Sequence, residues 1–462
     1  MTQINNSQSS KMYMSRVLSN LKPYYIYERA RIIGFLLLFL LAFPVTLVIT
    51  LITLVIHCFT RKPSIVNPNA KRILISGGGM AKALQLVRSL YMAGHYIVLT
   101  EEYPFTTHRF SQCVSRFYVC AFTKTNHSDY IQSIVDIVQR ERIDIFIPAS
   151  HSWCECADSL VKEALLPLNC VTVQGDLKDL EMLSNKYEFC TRARSLGLSV
   201  PKTYKITDPK QILEFDFSKE KCQFILKCIA DDLVTRWSLT KLPCQTRQQT
   251  IDYLNTLTIS KTNPWIMQEF IAGKEYCTHG TVHNGELRLY ACCESSPWLL
   301  HYKHVDNKPM ILQWVQDFCL RTNISGQASF DFIESYEDGR PYAIECNPRT
   351  HTAIVAFYNH PDVAETYVDT KHLLHGPIQP YSNTRECYWL HHELWDLLNV
   401  RHMEDFLRIL RRLFNGKEAI YSVEDPLPFF LHYTLHMPYV LICHLLNPTP
   451  FTKVDCNLSL IL

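Results

Sequence analysis

Residues 329–351 read SFDFIESYEDGRPYAIECNPRTH, the densest group of chemistry-bearing side chains in the sequence. A strand carrying Asp331, a turn at Glu337-Asp338-Gly339 and a second strand carrying Glu345 and Asn347 make a hairpin. Centred near Asp338, it sets Asp331 opposite Glu345. Strand side chains alternate between faces, so residues 345 and 347 share one. Three oxygen donors then converge with no neighbouring lysine to neutralise the acids. Such a set suits a hard cation, Mg²⁺ ahead of Ca²⁺, completed by waters and substrate phosphates. The competing reading is an edge hairpin with solvated acids, which does not account for Glu345 and Asn347 in and beside the apolar stretch Tyr342 to Cys346.

Other candidates lie upstream. EMLSNKYEFCTRARSLGLSVPKTY reads as a helix carrying Lys186, broken at Gly197 and Pro201 before a strand. QFILKCIADD sets Lys227 inside an apolar strand, where an ammonium is rarely left without an anion. In WIMQEFIAGKEYCTHGTVHNGEL, backbone groups of Glu269, Phe270 and Ile271 can meet an adenine edge while the apolar side chains sandwich the ring; Glu275 can then reach a ribose hydroxyl. Weaker signals compete with these. Gly77-Gly78-Gly79 after a strand is a partial dinucleotide fingerprint without its third glycine, and it is no P-loop, since no Gly-Lys-Ser/Thr follows. A tight strand-to-helix turn accounts for it equally well. His151-x-x-Cys154-x-Cys156 offers three zinc ligands but no second pair, and loop cysteines without metal are the better reading.

These pieces, in this order, resemble the ATP-grasp superfamily, from about Lys71 to His375. The resemblance implies ATP and one or two Mg²⁺ ions. Lys186 and Lys227 would hold ATP phosphates, Glu269 to Ile271 the adenine and Glu275 the ribose. Asp331, Glu345 and Asn347 would hold the metal, and Arg349, with Lys227, would act on the transferred phosphoryl group. One departure is the turn after Lys227, Ala230-Asp231-Asp232, which lacks the glycines that often cover the phosphates; Arg236 is a substitute cover. Within the superfamily the chain looks most like the mycosporine-glycine synthases, ligases that join glycine to 4-deoxygadusol. LSNKYEF, CIADDLVTRWSLTKLP, ECNPRTH and HHELWDLLNVR carry that likeness. Arg349, Arg288 and His351 are candidates for glycine's carboxylate. An ordinary carboxylate–amine ligase is the alternative; a non-catalytic nucleotide-binding module and a nicotinamide oxidoreductase using Gly77 to Gly79 are the readings from other classes.

The elements that must position these residues follow a plain order. From Lys71 to about residue 180, short apolar strands alternate with amphipathic helices, which predicts a parallel sheet. The expected fold is α/β then α+β: a Rossmann-like domain over 67–180 and an ATP-grasp domain over 181–375, with its lid at about 200–265. A helical extension spans 376–462. There HHELWDLLNVRHMEDFLRILRRLFNG is amphipathic with Leu394, Leu397, Leu398, Phe406, Leu407 and Leu410 near one side, and FFLHYTLHMPYVLICHLL reads as a packing or membrane-surface helix. Residues 1–66 form an N-terminal segment, polar and disordered over 1–12.

With 462 residues and a net charge of +2, the chain has room for two or three domains and no bulk charge for nucleic acid. From Ile32 to Thr60, 29 residues carry no charge, about 44 Å as a helix against a hydrocarbon core of about 30 Å. A membrane helix is expected, with Pro44 allowing a kink or a shallow hairpin. Both flanks are basic, so the positive-inside rule does not orient it. The 18 scattered cysteines suit reduced thiols and a catalytic part in the cytoplasm.

Overall fold

The computed structural model of the chain describes residues 5–60, 67–123, 126–229, 239–295, 301–369, 373 and 375–446. They form two compact units, one of Ser64–Pro104 and Cys113–Cys387, the other of Met1–Pro63, Phe105–Gln112 and Tyr388–Leu462.

The second of these units begins with α1 (Asn5–Thr60). Its polar start is already helical at Asn5, where sequence composition predicts disorder. The helix also passes Pro44 unbroken, so the hairpin alternative is not what forms. Proline removes one amide, and in an apolar segment no other structure satisfies the remaining ones. The Thr46, Thr50 and Thr53 hydroxyls donate back to Phe43 O, Thr46 O and Ile49 O at 2.9, 2.8 and 2.7 Å.

The larger unit opens with a parallel layer of β1 (Arg72–Ile75), α2 (Ala81–Met92), β2 (Tyr96–Glu101), β3 (Arg116–Val119), α3 (His127–Glu141), β4 (Ile145–Ile147), α4 (Glu155–Leu165) and β5 (Val171–Thr172). Strand order is β3-β2-β1-β4-β5, all parallel, as strand–helix alternation requires. Leu74, Val98 and Phe146 of the sheet pack on Tyr130, Ile134, Val138, Val161 and Leu165 of α3 and α4. The glycine run joins β1 to α2. Gly77 has φ +72°, and a Cβ there would stand 2.5 Å from Ala149 O. Only glycine lets the loops after β1 and β4 come this close.

Two helices, α5 (Leu177–Ser184) and α6 (Lys186–Ser195), lead into a three-stranded antiparallel sheet ordered β6-β8-β7. It comprises β6 (Thr203–Ile206), β7 (Phe224–Cys228) and β8 (Trp265–Glu269), with the one-turn α7 (Lys210–Leu213) and α8 (Arg247–Leu254) between strands. It has its own core of Ile206, Phe224, Leu226, Leu242, Leu254, Trp265 and Met267. A second sheet, ordered β10-β9-β11-β12, contains β9 (Gly273–His283), β10 (Glu286–Glu294), β11 (Gly326–Ser335) and β12 (Pro341–Asn347). One face packs Tyr276, Tyr290, Phe330, Phe332 and Cys346 on Phe189 of α6 and on Trp314 and Phe318 of α9 (Pro309–Thr322). A further short helix, α10 (Val363–Val368), follows.

Where the parallel layer meets the loop after β12, charged side chains are buried. Lys82 of α2, 3% exposed, donates to Ser150 O and Thr350 O, both at 2.9 Å. Burial, then the nearby Arg349 cation, pushes its pKa down from 10.5 to about 7. Burial also raises Glu101 to about 7 and Asp158 to about 8; Asp158 accepts from Tyr130 Oη at 2.7 Å.

Two outcomes follow from this packing. Gly77→Ala forces a left-handed residue against Ala149 and should lower the unfolding free energy by at least ~2 kcal/mol in urea titrations. The buried acids hold protons when folded that their unfolded forms, at 4.5 and 3.8, have lost, so they make stability fall between about pH 4 and 8. Lys82 does the reverse: unfolded it keeps its proton to 10.5, so it makes stability rise from about pH 7 upward. Asp158→Asn should therefore flatten the fall between about pH 4 and 8 and leave the rise at higher pH intact, read from urea midpoints against pH.

Candidate active site

The hairpin forms in the expected register. Asp331 pairs with Glu345 across β11 and β12, a bulge follows between Asp331 and Phe332, and Ser329 pairs with Asn347. Gly339, at φ +69°, makes the turn, and Asp338 accepts from Arg340 N at 3.1 Å and Tyr342 Oη at 2.9 Å. Since Phe330, Phe332 and Cys346 point into the core, alternation turns Asp331, Glu345 and Asn347 to the opposite face. All three are half-buried there, and Asn347 Nδ2 donates to Asp331 Oδ2 at 3.2 Å. Two carboxylates and a carboxamide on one face are hard oxygen donors, and this donor set fits Mg²⁺.

The expectation that no lysine neutralises these acids is overturned, since Lys186 Nζ lies 3.4 Å from Glu345 Oε2. The cause is a break in the helix read as continuous. Asn185 ends α5 and caps α6, its Oδ1 accepting from Tyr187 N at 3.0 Å and Glu188 N at 3.2 Å. Lys186 is then the first residue of α6, and Phe189 beneath it is buried in the sheet's core.

Lys227 is half-buried on β7, opposite Ile266 of β8. Burial lowers its pKa; Glu345 and Glu275 act against that and Lys186 with it. Lys186, Lys227, Glu275 and Glu345 therefore share one electrostatic neighbourhood. Glu275 is half-buried on β9, two residues from Cys277, which pairs with Asp331. In the Glu269–Ile271 stretch, the Glu269 amide donates to Lys202 O and the Phe270 amide to Gln223 O, both at 2.8 Å. The Glu269 carboxylate accepts from Lys202 N at 3.0 Å, so this side chain serves the backbone. Ala230-Asp231-Asp232 and Arg236 lie outside the described residues.

Arg349 is tied to the parallel layer. Its Nη1 pairs with Glu155 at the start of α4, whose other oxygen accepts from Ser184 Oγ at 3.3 Å. Next to it, Thr350 Oγ1 donates to Pro148 O at 3.0 Å and Thr350 O accepts from Lys82. His351 serves the backbone: its Nδ1 accepts from Ala353 N at 3.1 Å and its amide donates to His279 Nδ1 at 3.2 Å. Burial, with Arg349 and Lys82 nearby, pushes its pKa down to about 3, so it carries no charge for a carboxylate. Arg288 is 1% exposed and 3.8 Å from Glu286.

Glu155 and Lys82 were not among the residues singled out from sequence. Lys82 had a signal, being the one charged residue in a largely apolar helical stretch, AKALQLV. Glu155, in Cys-Glu-Cys, had none. The competing motifs resolve structurally. The Gly79 amide donates to the Glu101 carboxyl at 2.7 Å, so the glycine turn has an acceptor within the chain. His151 stacks on Trp153 at 4.0 Å, Cys154 is buried and Cys156 exposed. Among the described residues no three His, Cys, Asp or Glu side chains group as metal ligands.

No protein-family model and no curated protein matches the sequence. Solved structures do resemble the fold. N5-carboxyaminoimidazole synthetase from Staphylococcus aureus, complexed with ADP, superimposes with a TM-score of 0.51 at 13% identity, over 67% of this chain and 80% of that one. The biotin carboxylase-beta-gamma-ATP complex from Campylobacter jejuni gives 0.50 at 13% identity, over 64% and 71%. Both belong to the ATP-grasp superfamily, and the two sheets and parallel layer described above have the ATP-grasp fold.

Proposed function

We propose that the protein is an ATP- and Mg²⁺-dependent ligase that forms a carbon–nitrogen bond. The observation that carries this is the half-buried hairpin face of Asp331, Glu345 and Asn347, with Lys186 3.4 Å from Glu345 and Lys227 within its electrostatic influence. A structural ion pair needs one lysine and one acid; two lysines and a three-oxygen set leave room for a polyanion and its metal. ATP with Mg²⁺ supplies a phosphoryl group whose charge the metal partly offsets. Asp331, Glu345 and Asn347 would hold one or two ions. Burial disfavours the Lys227 ammonium, so a phosphate beside it is electrostatically welcome, and Lys186 would turn from Glu345 to the same anion once metal takes the carboxylate. Glu269 to Ile271 would seat the adenine and Glu275 the ribose. Arg349 would meet the transferred phosphoryl group.

For the substrates, the resemblance quoted from the sequence favours 4-deoxygadusol and glycine. The enolised β-diketone of 4-deoxygadusol is a vinylogous acid, so its enol oxygen can take the phosphoryl group as a carboxylate oxygen would. Glycine's neutral amine then adds to the activated carbon. The carbon–oxygen bond breaks, phosphate leaves with its electron pair, and the nitrogen loses a proton, giving mycosporine-glycine. With a carboxylate in place of the enol, the same residues would run a carboxylate–amine ligation through an acyl phosphate. We also propose that α1 attaches the protein to a membrane, with the catalytic part in the cytoplasm; 18 consecutive residues within its stretch Arg29–Phe59 have a mean hydropathy of 2.9.

ADP release by the purified protein tests the reading. Turnover that requires both 4-deoxygadusol and glycine supports the specific reaction; turnover with a carboxylate and an amine, and none with 4-deoxygadusol, replaces it by the general one. Glu345→Gln should lower turnover at least ~100-fold. Lys227→Met should raise the KM for ATP and lower kcat; unchanged kinetics in both variants would remove the phosphate-site assignment.

A further inference from the structure

The helical elements of the smaller unit include α11 (Leu390–Leu397), α12 (Met403–Asn415), α13 (Leu427–Leu431) and α14 (Met437–Leu446). Sequence periodicity places Phe406, Leu407 and Leu410 near one side of an amphipathic stretch, and the structure shows which way that side faces. α12 is a separate helix packed on α11, and it turns this apolar stripe outward: Met403, Leu407 and Phe414 are 69%, 52% and 81% exposed. With half-buried Leu410 they fall at intervals of four, three and four residues, one continuous helical stripe, and Phe406 lies exposed beside it.

What α12 turns inward is Ile409, 3% exposed, and beside it a charge. Arg412, 11% exposed at its side chain, donates to both oxygens of buried Glu393 on α11 at 2.8 and 2.9 Å. This bidentate pair fixes the helix's rotation. Arg408 and Arg411 remain exposed at the edges of the stripe, Arg408 also pairing with Asp405.

The level at which α12 is held is set by α11. Trp395 packs edge-on against Phe35, centroids 5.2 Å apart, and the Arg31 guanidinium lies 4.1 Å from its ring centre. Arg31 and Phe35 bracket the point where charged residues cease and the apolar run of α1 begins. Beyond that point α1 buries Ile32, Phe35, Phe39, Thr46, Thr50 and Thr53 against its own unit. Its other side, from Leu37 and Leu41 through Val48 and Ile52 to Phe59, is exposed. A tryptophan beside an arginine at such a boundary is what a bilayer interface favours.

We propose that α12 lies in the headgroup layer of an anionic bilayer, with Met403, Leu407, Leu410 and Phe414 among the upper acyl chains and Arg408 and Arg411 at lipid phosphates. The proposal rests on the attachment of α1 to that bilayer and adds a second, in-plane contact sensitive to lipid charge. It also fixes the rotation of the smaller unit about α1, which a lone spanning helix leaves free.

The test uses the full chain bearing Phe414→p-benzoylphenylalanine, an exposed position whose substitution disturbs no packing. The protein is reconstituted into phosphatidylcholine vesicles with or without phosphatidylglycerol. Flotation reads attachment through α1, and irradiation followed by mass spectrometry reads what α12 touches. The expected result is a lipid adduct at position 414, roughly tenfold more abundant with phosphatidylglycerol. The double variant Arg408→Gln/Arg411→Gln should lose that excess while keeping the adduct in phosphatidylcholine. Leu407→Glu should lower the adduct roughly tenfold without altering flotation. A protein that floats but crosslinks at 414 to a second copy, to another protein or to no lipid overturns the in-plane contact and leaves the anchor standing. A protein that does not float overturns both.

Discussion

The pairing of β11 with β12 is the constraint on which the candidate site depends. Facing Asp331 and Glu345 across two strands places like charges side by side, an arrangement unfavourable on its own account. It is held from the other face, where Phe330, Phe332 and Cys346 pack on Trp314, Phe318 and Phe189. A slip of one residue would carry these apolar side chains into solvent and the acids into the core, so the apolar face dictates where the acids stand. The bulge after Asp331 and the Gly339 turn let the two strands keep that register. The Lys186 ammonium, 3.4 Å from Glu345, offsets part of the repulsion.

The features legible in the sequence are those set by neighbours along the chain. The hairpin was readable because its turn and its alternation are local, and the parallel layer because strands and helices alternate over short spans. Lys227 announced itself as a cation in an apolar strand. The break at Asn185 was written in the sequence too, in a cap residue followed by helix formers, but the periodicity around it obscured it. What was not legible depends on distant partners. Nothing near Glu155 points to Arg349, 194 residues away, and nothing near Lys82 points to the Thr350 carbonyl, 268 residues away. The rotation of α12 was hidden for the same reason: periodicity reveals that a helix has two faces, and it takes the distant partner Glu393 to turn Arg412, with Ile409, inward.

The two units put buried polarity to different uses. In the larger unit, buried carboxylates and Lys82 sit where the parallel layer meets the β12 loop, each satisfied by a hydroxyl, an amide or a carbonyl. In the smaller unit, a buried Arg412–Glu393 pair orients a helix whose apolar side then faces away. Breaking the Arg412–Glu393 pair by removing one partner leaves an uncompensated buried charge, which costs more than the pair itself contributes.

The hold of Lys82 on Thr350 has a mechanical consequence. Because α2 grips the loop that follows β12, and α4 grips Arg349 in the same loop, the parallel layer and the four-stranded sheet behave as a single block. The β6-β8-β7 sheet, by contrast, carries a separate core of Phe224, Trp265 and their neighbours, and reaches α6 through polar contacts, Gln268 Nε2 to Cys190 Sγ at 3.7 Å and Arg194 to Pro201 O at 2.8 Å. Asp331 and Glu345 are thereby fixed to the parallel layer through their own sheet, whereas Lys227 stands on a sheet with a core of its own.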